Sequence, residues 1–142
     1  MKEHKTFLEF LFTLSKTEAI LARTLDRGLG GIGLYEFIIL YKLSLAPKQT
    51  LSRTELADIL GLTASGITRL LLPMEKVGLI ERQASKEDAR VSNVSLASGG
   101  RKKLELAEEK IEYFIQEKMQ LKKAEPINDL TKFLDQICTF CK

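Results

Sequence analysis

Residues 52–96 contain a pattern that few small folds can accommodate. A short apolar segment ends at Gly61, a second apolar segment begins after Thr63, and two further apolar stretches are separated by a charged loop. A turn of about three to four residues that contains glycine and joins two helices is typical of a helix–turn–helix. The order therefore predicts helix, tight turn, helix, strand, charged loop and strand.

Capping residues mark the starts of both predicted helices. Ser52 and Glu55 have the capping-box spacing, in which the hydroxyl accepts a first-turn N–H and the carboxylate reaches back to the cap. Gly61 ends the first helix, because a left-handed residue costs least at glycine. Thr63 is placed to cap the second helix. The first helix carries one short apolar face and is followed by a turn residue expected to be buried: Leu56, Ala57, Ile59 and Leu60, then Leu62.

The second helix has two distinct faces. Four apolar residues at helical spacing predict the face that packs inward: Ile67, Leu70, Leu71 and Met74. The opposite face carries small or hydrogen-bonding residues that we assign to DNA binding: Thr63, Ala64, Ser65, Gly66, Thr68 and Arg69. Small side chains allow a helix to lie deep in the major groove, and arginine can pair with a guanine edge. The helix N-terminus also favours phosphate.

The two strands and their charged loop form a predicted wing. Strands are expected at 79–82 and 91–96, and the loop holds the candidate DNA contacts Lys86, Asp88 and Arg90. Arginine suits the narrow minor groove because the negative potential there attracts it. Asp88 lies two residues before Arg90, so we expect it to hold the guanidinium through a bidentate pair.

With these motifs the chain resembles the MarR family of winged helix–turn–helix transcriptional regulators. The resemblance is close over residues 50–104 and looser over the flanking helices. It implies a homodimer with helical arms that acts as a ligand- or signal-responsive repressor. It also implies a small apolar or aromatic effector, bound between the arms and the DNA-binding lobe. The residues that carry it are Glu55-Leu56-Ala57, Gly61-Leu62, Ser65, Ile67-Thr68-Arg69, Glu75-Lys76, Gly78-Leu79-Ile80, Asp88-Ala89-Arg90 and Gly100-Arg101.

Pro73 departs from the family pattern because it falls inside the second helix. Proline removes the backbone hydrogen bond to the carbonyl of Arg69, so a kink is expected there. The first two turns precede it, and the residues assigned to the groove are therefore unaffected.

The positive charge of the chain is concentrated in the predicted DNA lobe. Residues 48–103 contain 10 basic and 6 acidic residues, a net charge of +4, whereas the whole chain carries +3. Residues 104–142 contain 6 basic and 8 acidic residues, or −2. Phosphate binding requires such a positive excess, although +4 is modest and also fits ordinary variation.

The predicted fold is mainly α with a small β-hairpin. We divide a single domain, 1–142, into N-terminal helices (1–47), the winged helix–turn–helix lobe (48–97) and C-terminal helices (98–142). Helices are expected at 3–27 and 34–45, with Ser98 capping a fifth helix and Pro126 opening the last. Apolar stripes on the terminal helices favour a homodimer; packing of these helices on each other within one chain is the alternative.

Three other patterns carry less weight. The run G-L-G-G-I-G at 28–33 matches a dinucleotide motif, but a helix precedes it, so a turn between helices is favoured. Cys138 and Cys141 form C-x-x-C at a helix end, where the dipole does not lower a thiol pKa. Packing or incidental exposure is favoured over a redox or metal role for them. Glu105, Glu108, Glu109 and Glu112 indicate a solvated face.

The sequence therefore predicts a homodimeric regulator that binds double-stranded DNA at a pseudo-palindromic operator. With a single histidine, His4, a catalytic triad is not expected, so we predict no enzyme activity and no metal or cofactor. No apolar run suggests a membrane span or signal peptide, and a cytoplasmic location is expected. The alternatives are a winged-helix interaction module without DNA binding, or a redox-responsive regulator that uses Cys138 and Cys141.

Overall fold

The computed structural model describes all residues, 1–142, and is built from six α-helices and three short strands. A turn at Pro47–Gln49 precedes the first strand, and a π-helical turn at Ile115–Met119 follows the fifth helix. The mainly α fold with a small sheet confirms the predicted fold class. In chain order the elements are α1 (Lys2–Gly28), α2 (Leu34–Leu45), β1 (Thr50–Ser52), α3 (Arg53–Leu60), α4 (Ala64–Lys76), β2 (Ile80–Ala84), β3 (Ser92–Leu96), α5 (Ser98–Phe114) and α6 (Glu125–Phe140).

The chain forms two compact units, Met1–Ile111 and Glu112–Lys142. The first unit contains the helix–turn–helix, the sheet and the core. The second contains α6, none of whose side chains is buried. Pro126 lies in the first turn of α6, as predicted.

The core of the first unit is built around α2. Ile39, Leu40 and Leu43 of this helix are completely buried. The remaining core side chains come from both helices of the helix–turn–helix, from the sheet and from α5. They include Leu56, Ile67, Leu71, Met74, Ile80, Val94, Leu96, Leu104 and Ala107.

The sheet has three antiparallel strands in the order β1-β3-β2, one more than predicted. The missed strand β1 pairs with β3, with Thr50 opposite Ser95 and Ser52 opposite Asn93. Three residues are too few to display an alternating pattern, and the strand leads directly into the cap of α3. No local signal in the sequence therefore indicates this strand.

The helix–turn–helix agrees with its predicted local signals. The Ser52 hydroxyl accepts from the Glu55 N–H at 3.0 Å, and the Glu55 carboxylate accepts from the Ser52 N–H at 2.7 Å. Gly61 has φ +65°, the left-handed conformation expected of it. The prediction for Ile59 was wrong, since its side chain is 43% exposed. Because α3 is only eight residues long, it buries one narrow face, with Leu56 at its centre.

Pro73 is accommodated within α4, which continues to Lys76 as one helix. The proline lies in the last turn and is exposed. Its carbonyl still accepts from the Val77 N–H at 3.1 Å. The backbone that precedes Pro73 contains the first two turns, where the candidate DNA-binding residues lie.

The turn between α1 and α2 is as predicted, whereas the predicted cap of α5 is wrong. Residues 28–33 form a turn between α1 and α2, as favoured, with Gly30 and Gly31 at φ +77° and +100°. The turn is anchored rather than loose: Leu29 is buried, and Lys103 Nζ donates to the Gly30 carbonyl at 3.0 Å. Ser98 does not cap α5 but is its first residue, and the Arg101 N–H donates to the Ala97 carbonyl.

No single helix of the chain is long and apolar enough to cross a membrane. Taken together, α3 and α4 reach that length and apolarity, but they are bent by 109° where they meet.

Candidate nucleic-acid interface

The exposed N-terminal end of α4 is the centre of the candidate interface. The Thr63 hydroxyl accepts from the Gly66 N–H at 3.1 Å and lies 3.2 Å from the Ser65 hydroxyl. Ala64 and Ser65 are exposed, whereas Gly66 is half-buried. The cap satisfies one first-turn N–H, and the helix dipole gives this end a partial positive charge. The geometry is that of a helix end suited to an anionic or hydrogen-bonding partner.

Thr68 is held from two sides within the protein. Its hydroxyl donates to the Ala64 carbonyl at 2.9 Å and accepts from Arg53 Nη1 at 3.1 Å. Arg53 is the first residue of α3, and both side chains are half-buried. The contact joins the two helices at the face assigned to DNA. Sequence reasoning missed Arg53, because residues 15 positions apart on different helices share no local pattern.

Arg69 is an exposed cation of α4. Its side chain is exposed, and its guanidinium makes no ion pair or hydrogen bond within the chain. All five of its N–H donors are therefore open to a partner. The prediction that Arg69 shares the outer face with Ala64 and Ser65 agrees with their common exposure, opposite the buried Ile67 and Leu71.

The wing is a tight hairpin that presents three charged side chains. The Ser85 N–H donates to the Val91 carbonyl at 2.7 Å, which closes the loop. Lys86 is exposed and unpaired, and Arg90 is 92% exposed. Asp88 accepts from the Arg90 N–H at 3.0 Å and from Arg90 Nε at 3.3 Å.

The predicted bidentate pair between Asp88 and Arg90 is therefore wrong in detail. Both contacts use the same carboxylate oxygen, Oδ1, and one of them comes from the backbone. A separation of two residues in a tight loop lets Asp88 cap its own turn, and this competes with a two-pronged contact. The guanidinium is oriented by one contact and keeps its Nη donors for a partner.

An ion pair connects the end of α4 to the first strand of the wing. Arg82 of β2 donates through Nε and Nη2 to the two oxygens of Glu75, at 2.7 Å and 3.3 Å. Hydrogen bonding from Arg82 lowers the pKa of Glu75, and the same contact raises the pKa of Arg82. This is the bidentate arrangement that favours a fixed geometry. Both residues were visible in the sequence, but nothing in their spacing indicated that they meet.

The cysteine pair lies outside this interface. Cys138 and Cys141 are exposed free thiols at the end of α6, in the second compact unit. The four glutamates from Glu105 to Glu112 are exposed along α5, which confirms a solvated face.

The region from α2 to the wing is similar in sequence to known transcriptional regulators. Residues 34–92 match the model of the MarR family. The transcriptional regulator PapX of Escherichia coli is 37% identical over 73 residues, which are 51% of this chain and 44% of PapX. The chain thus spans less than half the length of the curated relatives it matches.

Solved structures extend the likeness to the whole fold. The regulator BldR of Sulfolobus solfataricus has a TM-score of 0.82 at 24% identity, over 96% of this chain and 99% of BldR. MosR of M. tuberculosis, solved in complex with DNA, has a TM-score of 0.78 at 24% identity, over 93% of this chain and 97% of MosR. The family match over α2 to the wing and this shared fold agree with each other. Residues 34–92 thus match the MarR family, and the fold of the whole chain is that of these regulators.

Proposed function

We propose that the chain is a sequence-specific regulator of transcription that binds double-stranded DNA. It acts as a homodimeric, ligand-responsive repressor at a pseudo-palindromic operator. The observation that carries the proposal is the outer face of α4. There a capped N-terminus, small exposed side chains and the unpaired Arg69 lie together on a helix whose opposite face buries Ile67, Leu71 and Met74.

The outer face of α4 has the properties needed in a major groove. Ala64 and Ser65 add little bulk, so the helix end can approach the base edges closely. Arg69 offers two parallel N–H donors to guanine O6 and N7, the commonest specific contact of arginine with a base. Arg53 holds Thr68 against the helix, which fixes one side of this face before DNA arrives.

The wing provides a second contact with DNA, which depends on charge and does not distinguish one base from another. Arg90 is almost fully exposed on a closed hairpin, and Lys86 is free beside it. An arginine in this position suits the minor groove, whose negative potential is strongest where the groove is narrow. The Arg82–Glu75 pair connects β2 to the last turn of α4 and so links the two contacts mechanically.

Dimerisation rests on the uncovered apolar side chains of α1 and α6. Neither helix buries a single side chain, although both carry large apolar residues. Monomeric proteins rarely leave extended apolar surfaces in water, so a second copy is the partner we propose. A two-fold axis then places the two α4 helices on half-sites about 10 bp apart. The exposed apolar residues include Phe7, Leu11 and Leu14 of α1 and Ile127 and Leu130 of α6.

The relatives support the same proposal. MosR was solved with DNA, and PapX is named as a transcriptional regulator. By extension, this chain acts on chromosomal DNA in the cytoplasm and responds to a small apolar or aromatic effector.

The test begins with selection of the preferred duplex from a random pool, followed by titration of that duplex over a range of salt concentrations. We expect specific binding whose affinity falls steeply with salt. Arg69→Ala should relax the preference at one or two base pairs, and Arg90→Ala should weaken binding to all duplexes by about 1–3 kcal/mol. Arg23→Ala, an exposed arginine of α1, is the matched control and should bind as the unchanged protein does.

Failure to bind any duplex would replace this proposal with that of an interaction module without DNA binding. Binding without change in Arg69→Ala or Arg90→Ala would remove those residues from the interface while leaving DNA binding itself intact.

The exposure of both cysteines favours one second candidate, a thiol-responsive form of the same regulator. Its test compares operator affinity before and after treatment with hydrogen peroxide, in the unchanged protein and in the Cys138→Ser, Cys141→Ser double variant. A change confined to the unchanged protein supports it, and equal affinities rule it out.

A further inference from the structure

A polar groove of about 440 Å³ lies on the outer face of the sheet, beside the base of the wing. Strand pairing explains its floor: Thr50 faces Ser95, and Gln83 faces Asn93. These four residues line the groove, whereas Val94 and Leu96, which alternate with Asn93 and Ser95 along β3, are buried in the core. Lys48 and Lys86 lie at its rim.

The floor consists of hydrogen-bonding groups without apolar bulk. The Thr50 and Ser95 hydroxyls lie 3.0 Å apart, and the Thr50 hydroxyl also approaches the Lys48 carbonyl at 3.0 Å. Hydroxyl and amide groups of this kind, together with lysine, are the side chains that contact phosphate oxygens of nucleic acids. The floor is thus suited to a polar anion and unsuited to an apolar effector.

The charge of the groove is positive. Lys48 and Lys86 are exposed and make no ion pair. Glu87 is the single carboxylate in the lining, so the two lysines leave a net charge of +1. Arg90, at the tip of the same hairpin, extends the positive surface toward the proposed DNA contact.

The rim at Lys48 is held in a strained conformation. Lys48 and Gln49 have φ of +54° and +52°, which non-glycine residues rarely adopt in succession. Contacts on both sides hold this turn: the Thr50 hydroxyl at the Lys48 carbonyl, and the Arg101 guanidinium, which donates to the Gln49 side chain. Strained residues persist where the surroundings over-determine them, and they cluster at ligand-binding sites.

We propose that this groove is a second phosphate-binding surface, which contacts the DNA backbone beyond the base pairs that α4 reads. The inference rests on the proposed function, because it takes DNA as the partner. It adds Lys48, Thr50 and Asn93 to the interface and lengthens the bound duplex. These residues position the duplex and carry no base specificity, since phosphate is the same at every step.

The test uses two duplexes that share one selected site. The short one ends at the wing contacts, and the long one extends about 10 bp further on each side, roughly one helical turn. The slope of log affinity against log salt changes by about 0.9 for each phosphate that the protein neutralises, hence about 1.8 for one phosphate in each of two subunits. Lys48→Gln should lower the steepness by this amount on the long duplex and leave the short duplex unaffected. Lys42→Gln, an exposed lysine outside the groove, should change neither.

A separate arm distinguishes DNA phosphate from free phosphate. Amide NMR signals of Thr50 and Asn93 are followed during titration with the long duplex and with millimolar inorganic phosphate. Shifts with the long duplex that are absent in Lys48→Gln support the proposal. Equal salt slopes for Lys48→Gln and the unchanged protein on the long duplex would overturn it, as would shifts with inorganic phosphate alone. If the unchanged protein binds neither duplex, the proposed function has failed and this inference fails with it.

Discussion

Gly100 is the position where a single methyl group should have the largest effect on this fold. It lies in the first turn of α5, where a Cβ would approach the Leu79 carbonyl oxygen to 2.1 Å. The same Cβ would lie 2.9 Å from Leu96 Cδ1 and 3.1 Å from Leu40 Cδ2. The Leu79 oxygen is backbone and also accepts from the Ala97 N–H at 3.1 Å, so it cannot rotate away. Gly100→Ala must therefore push α5 and the start of β2 apart.

The expected loss of stability follows from three contributions. Overpacking costs about 1–3 kcal/mol, and the contact with backbone places this case near the upper end. Weakening of the Ala97–Leu79 hydrogen bond adds about 1 kcal/mol. The better helix propensity of alanine offsets about 1 kcal/mol. The net destabilisation is about 3 kcal/mol, which corresponds to a fall in Tm of about 10 °C for a chain of this size.

Thermal and urea unfolding at one fixed protein concentration would measure this loss. The concentration is held constant because the proposed dimer would gain stability by mass action. Gly28→Ala is the matched control, since a Cβ there meets no heavy atom within 4 Å and Gly28 has no positive φ. That change should leave stability equal or slightly higher. If Gly100→Ala unfolds within about 0.5 kcal/mol of Gly28→Ala, the close packing of α5 on the hairpin is wrong.

Three further predictions concern the winged helix–turn–helix lobe. The hydrogen bonds from Arg82 lower the pKa of Glu75 below its ordinary value of 4.5, so their contribution to stability is present above pH 4.5 and lost as the pH falls below it. In urea unfolding at a series of pH values, Glu75→Gln should therefore lose less stability on acidification than the unchanged protein. An equal loss in both proteins would refute a contribution of the Arg82–Glu75 pair to stability. Leu56→Ala should lower the free energy of unfolding by about 2–5 kcal/mol, because Leu56 is fully buried, while Ile59→Ala in the same helix should cost far less; equal losses in urea unfolding would contradict the burial of α3. Ser52→Ala should cost about 1 kcal/mol through loss of the capping box, measured in the same way, and no loss would show that α3 starts without it.

Local chemistry explains why so much of the lobe could be predicted. Ser52, Glu55 and Thr63 take part in caps that join residues three positions apart, so contacts in space can be inferred from spacing in the sequence. Gly61 marks a left-handed turn because other residues are strained there. The apolar face of α4, with Ile67, follows from helical periodicity alone. The order of the elements and the wing followed from the apolar stretches and the charged loop between them, and the family resemblance agreed with both.

The contacts that sequence reasoning missed all join residues distant in the chain. Arg53 meets Thr68 only because the turn folds α3 against α4. Arg82 meets Glu75 only because β2 returns beside the last turn of α4. Side-chain charge was visible in the sequence, but the partner of each charge was not. The expected bidentate pair between Asp88 and Arg90 was wrong because of a local contact: the Asp88 carboxylate accepts a hydrogen bond from the backbone N–H of Arg90 within the same turn.

By itself, the sequence determined where α3 and α4 begin, where α3 ends, which faces of these helices are apolar, and which cations are candidates for contact with a nucleic acid. These properties depend on residues within one or two helical turns along the chain, so they can be inferred from the order of residues in the sequence. The tertiary structure decided that Thr50–Ser52 is a strand, that Lys48 and Gln49 are held left-handed, and that α5 packs against the hairpin at Gly100. Each of these depends on backbone groups brought together from distant parts of the chain, where hydrogen bonding and close packing override local preference.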